Sequence, residues 1–409
     1  MSRTSSSSVI VSAARTAIGR AVRGSLAHSR AEDLLAAAIG GAVQRADGID
    51  VAAADDLIVG CWMQQGDQGA NIARRTAVLL GADELPATTV NRACASSLQA
   101  IRMAHHAIAV GEARFVVAAG VESISHYPEP RKAGATPLAD RHPAFAELVS
   151  REDSAGGERQ SWRDPRLTGQ LPDIHMAMGH TAEVVARLRG VTRADQDAFA
   201  LTSQLRAAHA VSHGLFQHEI VGVPTGDGVV DTDDCLRPAT TLSDLSRLAP
   251  AFLEGGTVTA GNCCPLSDGA AAVLVMDEQF ARDNDLQPLA RIVATGVSAL
   301  SPEIMGLGPV EATRRALTLA GMTTTDLDLV EINEAFAAQV LPCIADLGLD
   351  ADRVNVLGGA IALGHPFGMT GARLVTTLLT AMAHQDATTG LVTMCAAGGQ
   401  GMSVILERL

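Results

Sequence analysis

The stretch Asn91-Arg92-Ala93-Cys94-Ala95-Ser96-Ser97-Leu98-Gln99 decides how the rest of the chain is read. A β-type run, Thr88-Thr89-Val90, leads into it, and Leu98, Ile101 and Ile108 follow at helical spacing. The pattern predicts strand, turn and helix, with Cys94 at the turn and the free N–H groups of the helix start aimed toward it. Such a position lowers a thiol pKa from about 8.5 into the range of roughly 3.5–7.5. A thiolate there suits covalent catalysis. The stretch alone also fits a cysteine that is merely a small buried hydrophobe.

Outward from this turn the chain alternates. Strands are expected at Val9–Ala14, Asp56–Cys61 and Phe115–Gly120, and helices at Ala31–Val43, Gly69–Leu80 and from the Cys94 turn to about Val110. That alternation implies parallel βαβ units. After Ser123 the character changes. Residues 127–170 are polar and aperiodic, and helical patterns return at Thr181–Leu188 and Arg193–His213, the latter with Thr192 as cap. Regular α/β character resumes at Thr257–Asn262 and Ala270–Val275. Strands follow at Ala290–Val297, Asp328–Ile332 and Gly390–Cys395, with helices at Val310–Ala320 and Thr370–Ala383. The two halves repeat one another, each with a Val-Asn pair before a turn and helix: Val90-Asn91 and Val354-Asn355. The expected division is 1–123 with 258–287 as one half, 124–257 as an insert, and 288–409 as the second half.

Composition narrows the function. At 409 residues with 47% apolar and 3% aromatic content, the chain can bury a large core that must be aliphatic and alanine-rich. A net charge of −14 argues against a general nucleic-acid binder. The seven cysteines include no CxxC pair, which suits a reduced, cytoplasmic protein better than a disulfide scaffold. The serine-rich start lacks the apolar core of a secretory signal, and no apolar run approaches the roughly 18 residues of a membrane span. Lys132 is the single lysine and stands in a polar loop, so neither a Walker A loop nor a desolvated Schiff-base lysine is available.

The C-terminal half supplies partners for Cys94. His365 lies in the glycine-rich turn Gly358–Gly371, equivalent by the repeat to the turn of Cys94, and a neutral imidazole beside a thiol is an activating arrangement. Cys395 ends a strand and opens Cys395-Ala396-Ala397-Gly398-Gly399-Gln400-Gly401, a turn whose N–H groups suit an oxyanion. Asn333, in Asn333-Glu334-Ala335-Phe336, follows a strand where ligands meet the carboxyl ends of parallel strands; a helix cap is the competing role. Cys263-Cys264 lacks the histidine or second cysteine pair of a zinc site, so no metal is expected.

These motifs, in order over nearly the whole chain, resemble the thiolase family of acyl-CoA acyltransferases. Asn91-x-x-Cys94-x-Ser96, Thr257–Asn262, Ser267–Ala271, Asn333–Phe336, Gly358–Gly371 and Cys395–Gly401 carry the resemblance. It implies an α/β fold of two similar βαβαβαββ halves in a five-layer α-β-α-β-α arrangement, with an inserted loop domain. It also implies thiolytic cleavage of 3-ketoacyl-CoA, or the reverse Claisen condensation, through an acyl-cysteine. Coenzyme A would be a substrate, with no tightly bound cofactor. By position, Cys94 would be the nucleophile and His365 its base. Cys395 would move the α-proton, and Asn333 would hold a water at one thioester oxygen. The N–H groups of Cys94 and Ala397 would face the other. Arg237, Cys264 and Met178 would contact coenzyme A. A homodimer or homotetramer is implied.

Departures from the family pattern are Cys264 for a frequent serine, Met369-Thr370 for Ala-Ser, and Ala177 where short-chain members carry histidine before Met-Gly. The last implies a roomier acyl pocket. A decarboxylating condensing enzyme would be expected to carry His or Asn in the place of Cys395, and a non-catalytic coenzyme A- or lipid-binding relative would be expected to have lost Cys94, His365 or Cys395.

Overall fold

The computed structural model describes residues 7–46, 49–129, 141–148 and 162–409, so Lys132 lies outside the described residues. The first half runs β1 (Ser8–Thr16), α1 (Ala31–Arg45), β2 (Asp56–Gly60), α2 (Ile72–Leu79), β3 (Ala87–Val90), α3 (Ser96–Ala109) and β4 (Phe115–Ser123), and is completed by β5 (Ser267–Asp277). Between β4 and β5 lie α4 (Met178–Arg189) and α5 (Arg193–Ser212). The second half runs β6 (Ala290–Ala299), α6 (Gly308–Ala320), β7 (Leu329–Ile332), α7 (Ala337–Leu347), α8 (Thr370–Gln385), β8 (Thr389–Ala396) and β9 (Gln400–Arg408).

The strands are ordered β3-β2-β4-β5-β1 and then β6-β9-β8-β7. Each half therefore follows the order third, second, fourth, fifth, first. In the second half the third strand has shrunk to one parallel bridge between Val330 and Val354. Val354 precedes Asn355 as Val90 precedes Asn91, so the repeat in sequence is a repeat in topology. The halves meet where β1 and β6 pair antiparallel, with Val9 opposite Arg291 and Ile10 opposite Ala290.

Helices α3 and α8 pack on each other and on strands of both halves, and form the central layer. Helices α1 and α2 cover the outer face of the first half, and α6 and α7 that of the second. The result is the expected five-layer arrangement. A helix enclosed on both sides must be apolar nearly all round. Ala372, Leu374, Val375, Leu378, Leu379, Ala381 and Met382 of α8 are buried accordingly. Small residues let the layers approach. A Cβ on Gly120, near the end of β4, would sit 2.1 Å from the Gly368 carbonyl oxygen and 2.5 Å from Ser97 Cβ. The turns of the two halves thus press against the same strand.

The structure refines the local reading at three places. Helix α2 starts at Ile72, because Asn71 caps it, its side chain accepting from the Arg74 N–H. Thr257–Asn262 is not a strand; the N–H groups of Thr257 and Val258 donate to the Glu183 carboxylate at 2.7 and 2.8 Å. Strand β9 was not anticipated from the sequence. Thr192 does cap α5, with Asp195 completing a reciprocal capping box. Among the described residues no helix is long and apolar enough to cross a membrane.

Candidate active site

The turn before α3 is built by its own polar residues. Asn91 Oδ1 accepts from the Ala93 N–H at 2.8 Å, and Asn91 Nδ2 donates to the Trp62 carbonyl at 2.8 Å. Ser96 Oγ donates to the Ala93 carbonyl at 2.6 Å and accepts from the Arg92 N–H at 2.9 Å. Together they hold Ala93 at φ +47°, a region non-glycine residues seldom occupy. The strain places Cys94 two residues ahead of the first residue of α3.

The N–H groups of Ala397 and of Cys94 itself are turned toward the Cys94 sulfur, and Cys395 is near enough for its charge to be felt there. These N–H groups favour the thiolate, yet burial outweighs them, and the neighbouring Cys395 adds to it. The Cys94 thiol is therefore pushed well above its ordinary value rather than lowered, which corrects the expectation drawn from the helix start alone. Cys94 is only 7% exposed, and losing water costs the anion more than two N–H groups return. Burial also pushes Cys395 up to about 12. Both thiols rest protonated.

His365 is held at both ring nitrogens. Nδ1 lies 2.7 Å from Thr370 Oγ1, and Thr370 Oγ1 donates its only proton to the Pro366 carbonyl at 2.7 Å. The threonine oxygen must then accept, so Nδ1 carries the hydrogen. Nε2 is left as the basic nitrogen, and Asn333 Nδ2 donates to it at 3.2 Å. Burial, with the charge of Arg373 behind it, pulls the imidazole pKa down to about 3. His365 is thus a neutral base. Asn333 does not cap a helix, since α7 begins at Ala337 with Phe336 at the cap position. Its role lies toward His365.

The two groups converge through the scaffold. The Asn333 N–H donates to the Thr393 carbonyl at 3.0 Å, so Asn333 and Cys395 lie at the carboxyl ends of the neighbouring parallel strands β7 and β8. Ser97 Oγ, on the first turn of α3, accepts from the Ala372 N–H of α8 at 2.9 Å. This ties the helix behind Cys94 to the helix behind Thr370 and His365.

Residues 8–279 match the thiolase N-terminal domain and residues 286–408 the thiolase C-terminal domain. The chain belongs to the thiolase family. It is 44% identical over 413 aligned residues to a 3-ketoacyl-CoA thiolase of Citrobacter koseri, covering 98% of each chain, and 44% identical to one of Klebsiella pneumoniae, covering 98% of this chain and 99% of that one. Among solved structures it resembles the acetyl-CoA acetyltransferase of Bacillus anthracis, with a TM-score of 0.87 at 35% identity over the whole of both chains. It also resembles human mitochondrial 3-ketoacyl-CoA thiolase in complex with CoA, with a TM-score of 0.84 at 34% identity, covering 99% of this chain and 98% of that one.

In this thiolase a cavity of 430 Å³ opens among Arg20, Val22, Arg23, Arg237, Cys263 and Cys264. Arg237 and Cys264, singled out in the sequence, line it; Met178 packs against the cluster that holds Phe336 and Cys395, as does Cys263 of the cavity wall. The Cys264 thiol also senses Cys94 and Cys395. Arg20 and Arg23 were missed. Two arginines three residues apart in an acidic chain were the available signal. Val22 between them sits at φ +71°, an outlier for a β-branched residue, and its N–H donates to Ser125 Oγ at 2.6 Å. Glu122 was missed as well. Its buried carboxylate accepts from the N–H groups of Trp62, Met63 and Gly368 and from the Tyr127 hydroxyl, all within 3.0 Å, and so fixes the loops around the site. In the Asn333-Glu334 motif only the asparagine faces His365. Glu334 accepts from Ser203 Oγ, Asn355 Nδ2 and the Ile361 N–H, and ties the insert to the second half.

Proposed function

We propose that this chain is a 3-ketoacyl-CoA thiolase in which Cys94 carries the acyl group, His365 is the base, Cys395 moves the α-proton and Asn333 orients a water. The observation that carries the reading is the linked constellation itself. A neutral imidazole is locked with Nε2 as base, and the Cys94 thiol, protonated like that of Cys395, feels both Cys395 and the Ala397 N–H. The Cys94 proton passes to His365 as sulfur attacks the keto carbon. The bond between the α-carbon and the keto carbon breaks, and the departing acetyl-CoA enolate takes a proton from Cys395. His365 returns its proton to the Cys395 thiolate. In the second half-reaction the incoming CoA thiol attacks the acyl-cysteine and gives its proton, through His365, to the departing Cys94 sulfur. The enolate and tetrahedral oxygens need preorganised donors. The N–H groups of Cys94 and Ala397 supply one set. For the other, Asn333 Oδ1, a buried acceptor without a protein partner among the described residues, is suited to hold a water.

On this reading coenzyme A is a substrate, and the cavity bearing Arg20, Arg23 and Arg237 offers cations to its phosphates, without any tightly bound cofactor. Residues 1–123 with 258–287 form one thiolase half, 288–409 the other, and 124–257 a loop domain over the coenzyme A site. The enzyme works in the cytoplasm as a homodimer or homotetramer. Thiolysis of a series of 3-ketoacyl-CoAs tests the activity. Ala177 is exposed at the start of α4, Phe367 meets Trp62 and His365 in edge-on ring contacts, and Met369 is fully buried. No bulky group at 177 closes the acyl side, so kcat/KM rises beyond four carbons, with roughly 0.8 kcal/mol available per buried methylene. A steady fall from four carbons upward would contradict this.

A second expectation separates the two thiols. Cys395→Ser slows exchange of the acetyl α-protons of acetyl-CoA by about a hundredfold, while acylation of Cys94 persists. Exchange at the wild-type rate, followed by NMR in heavy water, removes Cys395 from the proton transfer.

A further inference from the structure

Helix α8 carries a polar stripe where its surroundings are aliphatic. Thr370, Arg373 and Thr377 recur at spacings of three and four, on one face of the helix, and all are buried. Each meets a different part of the molecule. Thr370 holds Nδ1 of His365. Arg373 Nη1 lies 3.5 Å from Glu331 Oε2 on β7, both side chains 1% exposed. Thr377 Oγ1 donates to Glu219 Oε2 at 3.2 Å, and Glu219 accepts from Arg15 Nε of β1 at 2.7 Å.

The middle contact is the unusual one. Neither Glu331 carboxylate oxygen and none of the Arg373 guanidinium nitrogens has a hydrogen-bond partner among the described residues. The other charges that face Arg373 are Arg15, Glu219 and Glu334. A buried ion pair with its hydrogen-bonding groups unsatisfied is a poor source of stability, because desolvation opposes the attraction and well-packed apolar residues do as well or better. Its geometry gives it another use. Arg373 is one turn from Thr370, which holds one side of the imidazole. Glu331 is two residues before Asn333, which holds the other. The pair is the next rung below the clamp on His365 and joins the same two elements.

Smooth alanine and leucine surfaces do not set helix rotation sharply. The crossing of α8 over α3 is tight, since a Cβ on Gly371 would fall 2.3 Å from the Leu98 nitrogen, and the hydrogen bond from the Ala372 N–H to Ser97 Oγ holds it at one point only. We propose that Arg373, through its buried pair with Glu331, is a positioning residue for His365, fixing the rotation and depth of α8 and thereby the placing of the imidazole between Thr370 and Asn333. This rests on the proposed role of His365 as base, but its geometric content is independent of turnover.

The test compares Arg373→Lys, which keeps a charge opposite Glu331, with the neutral pair Arg373→Met plus Glu331→Gln. Full-length enzyme labelled with 15N-histidine is read by NMR without substrate, the His365 signals being assigned by their loss in His365→Gln. Wild type and Arg373→Lys show a single neutral tautomer with hydrogen on Nδ1. The neutral pair folds, with a melting temperature near wild type, but shows mixed or broadened ring signals. Its kcat falls at least tenfold while KM for CoA stays within twofold. A folded neutral pair with the wild-type ring spectrum and kcat overturns the proposal. Should the neutral pair not fold, Glu331→Gln alone is read by the same two measurements, and unchanged values there overturn it equally. If wild type cleaves no 3-ketoacyl-CoA, the functional reading falls, and the ring spectra still decide the positioning role.

Discussion

Cys94→Ala lowers kcat/KM for thiolysis by roughly ten-thousandfold or more, a loss of about 5.4 kcal/mol of transition-state stabilisation. The expectation follows from the way the site is built. Cys395 is paired with Gly401 near the end of β8, and the Cys264 N–H donates to the Ala335 carbonyl at 3.1 Å, so the backbone holds both of these thiols in place while Cys94 faces the Ala397 N–H. Acid quench after incubation with an acyl-CoA, followed by peptide mass spectrometry, places the adduct on Cys94. An adduct on Cys263, Cys264 or Cys395 with Cys94 free would refute the assignment. The same experiment reports the resting state of the thiol. Burial holds it protonated, so alkylation of Cys94 in the free enzyme keeps accelerating as pH rises from 7 to 10. A plateau already reached at pH 7 would mean a preformed thiolate–imidazolium pair.

The sequence carried the architecture because the architecture is a repeat. Val90-Asn91 and Val354-Asn355 stand at corresponding places in the two halves of one sheet, which follow the same strand order, and no tertiary information was needed to align them. The side chains that react were legible for a related reason: their motifs are local, and each sits at the end of a strand or the start of a helix. What escaped was everything set by contacts across the two halves. The thiol pKa of Cys94 reads as low from the helix start and is high in the fold, because the fold buries it and brings Cys395 of the other half near enough to add to the effect. Thr370 looked like a substitution in a family pattern, and only the 2.7 Å contact with His365 shows that it keeps the hydroxyl that sets the tautomer. Glu122 read as one residue of a strand, since the N–H groups it gathers come from Trp62, Met63 and Gly368. The Thr257 segment has strand-like composition, but Glu183 takes two of its N–H groups before a ladder can form.

His365→Gln reduces kcat by about a thousandfold, within the range usual for a lost general base, and it also changes how stability depends on pH. Burial pulls the folded-state pKa of His365 to about 3, below the ordinary value of 6.5. Between those values the unfolded chain holds one more proton at this site than the folded chain. The slope of unfolding free energy with pH is then positive, so this group destabilises the fold as pH drops from about 6.5 toward 3, by at most about 1.4 kcal/mol per pH unit. Above pH 7 the term vanishes, because the imidazole is neutral in both states. Glutamine has no proton to gain. Chemical unfolding at pH 7.5 and 5.0 should therefore show the wild type losing about 1–2 kcal/mol more than His365→Gln over that interval. Equal losses would mean that His365 takes up its proton in the fold near the ordinary value. In that case the acid limb of the kcat/KM profile would carry a pKa near 6.5. With the buried, doubly held ring, the histidine contributes no such limb, and because both thiols stay protonated through this range these groups leave kcat/KM flat between pH 5 and 8.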